Sequence, residues 1–254
     1  MPHTLEELSR MKYPGRFIAI GRDKSGDNNV VIYGITGRSK SSQARKLYFR
    51  DKNPYEVSVL PTDNTLLNEQ NAELLTYPAM FIGYYGCAVS NGRQTSDIYL
   101  TDKDKSSLEI LASGLSKWEY EPDKPNFTPR ISGSMDINEG AALSIIKRRQ
   151  DGQVLRQYFE VPLVAGLASF ISTYAGINEN PLPSFNGEPL TIDLSGKTSE
   201  ETATLFYDLF EPKSLENDLR VAVATVYYGR EYKRGKVDLS IINRDKPAQN
   251  HRLF

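Results

Sequence analysis

The feature that most constrains this chain is a succession of short apolar, β-branched and aromatic runs set apart by turn residues. They are RFIAI (16–20), NVVIYGI (29–35), YEVSVL (55–60), AMFIGYY (79–85), CAVS (87–90), ALSIIKR (142–148), VLRQYFEV (154–161), LASFIST (167–173), LRVAVATVYY (219–228) and VDLSII (237–242). Each has the length of a strand, and several alternate polar with apolar residues as half-buried strands do. The chain is therefore expected to be rich in sheet.

Two longer helices interrupt this pattern. Over Lys105–Glu119, Leu108, Leu111, Ala112, Leu115 and Trp118 recur at helical spacing. From Thr198, a capping box with Glu201 leads into Ala203, Leu205, Phe206 and Leu209, and Thr4 with Glu7 repeats the cap pattern ahead of a short helix reaching Met11. Strands, helix, strands, helix, strands is not a βαβ repeat, so the order predicts an α+β sandwich rather than a doubly wound sheet. No low-complexity tract divides the 254 residues, which predicts a single domain over 1–254.

Charge and residue usage narrow the function. Lys plus Arg (31) balances Asp plus Glu (32), an argument against general binding to nucleic acid or to an anionic membrane surface, and the expected partner is a small molecule. No apolar segment is long enough for a membrane span, the first residues do not read as a secretory signal, and the lone Cys87 makes neither an internal disulfide nor a zinc motif. A soluble cytoplasmic protein is the expectation. The two histidines, His3 and His251, stand at the chain ends, so acid/base work in a central pocket falls to Glu, Asp, Lys or Tyr.

Polar residues collect in four places. Arg16 and Arg22 bracket the first strand. The segment TGRSKSSQARK (36–46) gathers Arg38, Ser39, Lys40, Arg45 and Lys46, which suits either a phosphate or a solvated loop. In VSNGRQTSD (89–97), Asn91-Gly92 is first of all a hairpin signal, although Ser90, Asn91, Arg93 and Thr95 also suit a ligand. In EYEPDKPNFTPRIS (119–132), three prolines restrict the backbone around Glu121, Asp123, Asn126, Thr128 and Arg130, as either a stiff connector or a rigid site.

In this order, YPGRFIAIGR (13–22), GRSKSSQAR (37–45), AVSNGRQTSD (88–97), YEPDKPNFTPRIS (120–132) and FISTY (170–174), followed by the capped helix at 198–210, resemble the archaeal-type IMP cyclohydrolase family. The resemblance implies a four-layered αββα sandwich of the N-terminal-nucleophile hydrolase type without a processed N-terminal nucleophile, the first strand here opening on Arg16. It implies dehydrative ring closure of 5-formamidoimidazole-4-carboxamide ribonucleotide to IMP, with no metal or cofactor. By the same resemblance Arg45, Tyr77 and Glu121 surround the reacting groups, and Arg16, Arg38, Ser39, Asn91, Thr128 and Arg130 hold the purine ribonucleotide. Self-association into a homo-oligomer is a further implication. A purine-nucleotide-binding regulatory protein that keeps the pocket without the reaction is the alternative. Archaeal members carry a histidine in the Ser-Asn-Gly segment, where this chain has Gln94.

Overall fold

The computed structural model describes residues 2–67, 72–84, 86–102, 104–136, 140–212, 218–230, 235–244 and 246–254. Tyr85, which ends the 79–85 run, lies outside them. In chain order the elements are α1 (Leu5–Ser9), β1 (Arg16–Arg22), β2 (Asn28–Thr36), α2 (Lys40–Gln43), β3 (Arg45–Arg50), β4 (Tyr55–Pro61), α3 (Ala72–Leu75), β5 (Tyr77–Gly83), β6 (Gly86–Ser90), α4 (Gln94–Leu100) and α5 (Ser107–Gly114). There follow β7 (Arg130–Asp136), β8 (Ala141–Arg148), β9 (Val154–Glu160), β10 (Leu167–Ser172), β11 (Leu190–Asp193), α6 (Ser199–Asp208), β12 (Arg220–Gly229), β13 (Val237–Asn243) and β14 (Gln249–Arg252).

The strands form two seven-stranded sheets, ordered β11-β10-β1-β2-β12-β13-β14 and β3-β4-β5-β6-β7-β8-β9. Every ladder between neighbours is antiparallel. The molecule is thus α+β, with two antiparallel sheets and few helices, as a sandwich requires.

Side-chain alternation explains why the strongest runs are apolar throughout. Successive residues on a strand face opposite sides, and β1 sends Ile18 and Ile20 into one core cluster while Phe17 and Ala19 enter another. The first cluster joins the two sheets, with Val31, Tyr33 and Ile35 of β2 among Val57, Val59, Met80, Val89 and Leu143 of the second sheet. The other collects Val30, Ile32, Val223 and Tyr227 with Ala203 and Phe206 of α6. A third sets Ala88, Ala142 and Ile146 of the second sheet against Ile98 of α4 and Ile110 and Leu111 of α5. A strand that is buried on both faces has no polar alternation to show.

The capped starts agree with the sequence reading. The Thr198 hydroxyl accepts from Glu201 N at 3.1 Å, and Thr4 with Glu7 completes a full capping box. The 105–119 helix is shorter than its apolar spacing predicts. It starts after Ser106, whose hydroxyl caps Glu109 N, and ends at Gly114, because Leu115 already departs from helical dihedrals.

The hairpin reading of Asn91-Gly92 is corrected: β6 runs not into a partner strand but into α4. The Asn91 side chain bonds to Ile131 and Pro129 instead of closing a two-residue turn. Strands β3, β7, β11 and β14 were not signalled by the apolar runs. RKLYFR at the edge carries three cations, and RISGSMD carries serines and Gly133, where a Cβ would meet Ile20 Cδ1 at 2.7 Å.

Antiparallel pairing gathers strand starts and ends at one end of the sandwich. Arg16, which opens β1, pairs with Ile35 near the end of β2. Ser132 of β7 pairs with Ser90 at the end of β6, and Tyr77 at the start of β5 pairs with Val59. Among the described residues, no helix is long and apolar enough to cross a membrane, and no group of three or more His, Cys, Asp or Glu side chains is arranged to hold a metal ion.

Candidate active site

At that end, Glu121 is 2% exposed and its Oε1 accepts from Arg16 Nη2 at 2.7 Å. Arg130 Nη1 lies 3.9 Å from the same oxygen, and Asn91 Nδ2 is 3.5 Å away. Burial raises the Glu121 carboxyl above the ordinary carboxylate range, with Arg16 and Arg130 pulling it down and Asp123 adding to the rise. Burial disfavours the Arg16 charge, but Glu121 together with the Tyr77, Tyr174 and Tyr33 hydroxyls outweighs it and holds the guanidinium well above its usual range.

The loop that carries Glu121 is built from its own sequence. Glu121 N donates to Thr128 O at 2.9 Å, closing the segment between them. Inside it, the Asp123 carboxylate accepts from Thr128 N at 2.6 Å and from the Thr128 hydroxyl, while Asp123 O accepts from Asn126 N and Phe127 N. Phe127 sits at φ 45, a left-handed conformation that a bulky residue adopts only when its surroundings impose it. The Thr128 hydroxyl spends its proton on Asp123, so its 2.6 Å contact with Tyr174 is one in which the tyrosine donates. Burial pushes the Tyr174 hydroxyl up to about 12, keeping that donor neutral.

Arg130 and Asn91 are fixed by a second set of bonds. Arg130 Nε donates to Glu119 O at 2.8 Å, and its guanidinium lies 4.9 Å from the Trp118 ring centre. Gln94 bridges the two, donating to Asn91 Oδ1 at 3.1 Å and accepting from Arg130 Nη1 at 3.1 Å. Gln94 fills its position with a neutral amide that cannot carry a proton at working pH, which leaves Glu121 as the titratable group of this cluster.

Tyr77 enters from β5 and meets Tyr33 of the opposite sheet, hydroxyl to hydroxyl, at 2.9 Å. Arg45 is buried and donates to the carbonyls of Ser42 and Thr36 at 2.7 and 3.3 Å, and its charge reaches Tyr33. Arg16, Glu121, Asn91 and Arg130 are thus in one contact group, with Tyr77 and Arg45 tied to it through Tyr33. Thr128 holds the Glu121 loop rather than an open face. Arg38 and Ser39 lie on the exposed rim. Arg38 donates to Glu179 O at 2.9 Å and sits 5.8 Å from the Tyr13 ring, while the Ser39 hydroxyl caps α2 by accepting from Ser42 N.

Sequence reasoning assigned no role to Tyr33, Thr173, Tyr13 or Tyr174. Thr173 Oγ1 accepts from Arg16 N at 3.1 Å, and Tyr13 stacks on Tyr174 with ring centres 5.6 Å apart. For Tyr33 a signal existed: a hydroxyl among the inward aliphatics Val31 and Ile35 needs a buried partner, and the sequence does not name it.

A family model described as IMP cyclohydrolase-like protein matches residues 13–231, a span that contains every residue of the contact group. Among solved structures, Anbu (ancestral beta-subunit) from Yersinia bercovieri is similar at 12% sequence identity over 91% of this chain and 88% of that chain, with a TM-score of 0.32, too loose a superposition to transfer any residue role. No curated protein matches. On that match, which runs from Tyr13 past the end of β12, the chain belongs to the IMP cyclohydrolase-like family.

Proposed function

We propose that this protein is an IMP cyclohydrolase that closes the second ring of 5-formamidoimidazole-4-carboxamide ribonucleotide with loss of water. The observation that carries the reading is the buried Glu121 carboxylate, raised in pKa and set between Arg16, Arg130 and Asn91 at the end of the sandwich. Ring closure needs the carboxamide nitrogen to attack the formyl carbon and two N–H protons to reach the formyl oxygen: the first quenches the negative charge that develops on it, and the second lets it depart as water as the ring C=N bond forms.

In this reading Glu121 relays protons from nitrogen to oxygen, first as the tetrahedral adduct forms and again as its hydroxyl leaves as water, since a carboxyl moved toward neutrality serves in both directions. Arg16 changes role from substrate holder to counter-ion of Glu121. Its Nε is buried with no bond among the described residues, which leaves one donor for the developing oxyanion. Tyr77 supplies a neutral donor and Arg45 a nearby positive charge. Asn91 and Arg130 orient the carboxamide, while Arg38 and Ser39 at the rim meet the phosphate.

The same reading takes α6, the two sheets, and α4 with α5 as the four layers of an αββα sandwich of the N-terminal-nucleophile type, working as one domain. Arg16 stands where self-processing members of that type carry their nucleophile. Self-association and a cytoplasmic site of action complete the proposal.

The test is to incubate the purified protein with the formamido ribonucleotide and follow IMP absorbance. We expect cyclisation, and loss of about 100-fold or more in Glu121→Gln with substrate binding retained. A correctly folded protein that leaves the substrate closing at the buffer rate removes the enzyme reading. If that protein binds IMP by calorimetry without turnover, it is a nucleotide-binding regulator.

A further inference from the structure

Tyr33 is the group the proposed chemistry leaves unexplained. It sits in the middle of β2 at an inward position between Val31 and Ile35, is 0% exposed, and packs in the cluster that joins the sheets. The positions flanking it on that face are aliphatic, so packing alone has no use for the hydroxyl, which costs free energy to bury unless it is bonded. Its bond at 2.9 Å crosses from one sheet to the other and ends on Tyr77.

We infer that Tyr33 is a positioning residue that donates its proton to the Tyr77 hydroxyl and so turns the proton of Tyr77 toward the reacting formyl oxygen. The inference rests on the cyclohydrolase reading for what Tyr77 does, but not for the Tyr33–Tyr77 bond itself.

Two hydroxyls facing each other share a single proton between them, so one donates and the other is freed to donate elsewhere. Tyr33 has no route to a ligand, because it is fully enclosed. Tyr77, 2% exposed at the start of β5, stands at the end of the sandwich that holds Glu121. Burial and the neighbouring Tyr77 hold the Tyr33 hydroxyl well above its ordinary range, so it keeps the proton it needs to donate. Were Tyr77 to donate instead, the Tyr33 proton would be buried with no acceptor among the described residues, so donation from Tyr33 is the arrangement that leaves neither hydroxyl unsatisfied once Tyr77 meets a ligand.

The experiment compares Tyr33→Phe, Tyr77→Phe and the double variant, each checked for wild-type thermal unfolding. With Tyr33→Phe we expect kcat to fall about tenfold with KM within about twofold, the pattern of a contact made only in the transition state. The double variant should be no slower than Tyr77→Phe alone, because both changes break one linkage. Unchanged kcat in Tyr33→Phe, or losses that multiply in the double variant, overturn the inference. An arm without substrate separates it from the function reading. In ring-labelled tyrosine NMR, the slowly exchanging hydroxyl proton of the Tyr33–Tyr77 bond should correlate with the ring carbons of Tyr33 and vanish in Tyr33→Phe. A bonded proton that correlates with the Tyr77 ring instead shows that Tyr77 donates, and the inference fails even if the enzyme is active. A protein that never cyclises the substrate but shows the proton on Tyr33 loses the function reading and keeps the Tyr33–Tyr77 bond.

Discussion

Arg16 and Glu121 are 105 positions apart in the chain, yet they meet as a buried ion pair with Nη2 to Oε1 at 2.7 Å. Arg16 opens a central strand of the first sheet, and Glu121 rides on the loop between α5 and β7 of the second. The pair therefore joins the two sheets at the end where Tyr77, Asn91 and Arg130 converge. Its disruption should be felt in both stability and chemistry.

Arg16→Ala leaves the Glu121 carboxylate buried with Arg130 at 3.9 Å and the Asn91 amide at 3.5 Å to offset it. We expect a loss of about 3–5 kcal/mol in urea unfolding, the usual cost of removing one partner from a buried pair. A loss below about 1 kcal/mol, the range of an exposed pair, would show that the contact is not buried in solution.

The raised Glu121 carboxyl sets the sign of the pH dependence. As a base it works ionised, so kcat/KM should fall as pH drops through its pKa, with a midpoint above the ordinary glutamate value of about 4.3. Arg130 favours the ionised form, so Arg130→Gln should move that acid limb to higher pH. A limb that shifts downward in the variant assigns it to another group.

Arg38 is exposed and donates to the Asn178 side-chain amide oxygen and the Glu179 carbonyl, both neutral acceptors that a phosphate outcompetes. For Arg38→Ala we expect KM to rise about tenfold, a change of ~1.4 kcal/mol, with kcat held. Unfolding should move by no more than about 0.5 kcal/mol. A fall in kcat at constant KM places Arg38 in the chemistry instead.

Asn243 tests the fold apart from function. Its buried amide accepts from Leu47 N at 2.7 Å and donates to Leu47 O at 3.0 Å, standing in for a neighbouring strand at the β3 edge. Asn243→Ala leaves both backbone groups unpaired, and we expect about 2–4 kcal/mol of lost stability in chemical denaturation, at roughly 1–3 kcal/mol for each group. A neutral substitution would mean that water reaches that edge.

The runs that became β1, β2, β8 and β12 were legible because strands buried on both faces must be apolar throughout, and the caps at Thr4 and Thr198 because an N-cap hydroxyl is a local device. Strand β7 was not legible. Its serines and Gly133 are set by what packs on them, Ile20 above all, and a local window holds no record of that neighbour. The Asn91-Gly92 signal misled for the same reason: the side chain that would stabilise a turn is instead drawn to Ile131 and Pro129, in a strand and loop some 40 positions away.

For the site, residue types alone turned any acid/base work from histidine toward Glu, Asp, Lys or Tyr, since both histidines stand at the chain ends, and the prolines of the 119–132 segment pointed to a stiff connector or a rigid site around the Glu121 carboxylate. Only the tertiary structure decided what that carboxylate meets. It paired Arg16 with Glu121, set Gln94 between Asn91 and Arg130, bonded the Thr128 hydroxyl to Asp123 within the loop, and brought Tyr33 to Tyr77 from the opposite sheet. A sequence specifies local periodicity, capping and the supply of chemical groups. Distances between groups on different sheets, and the burial that shifts their protons, arise only when the two sheets close on a common core.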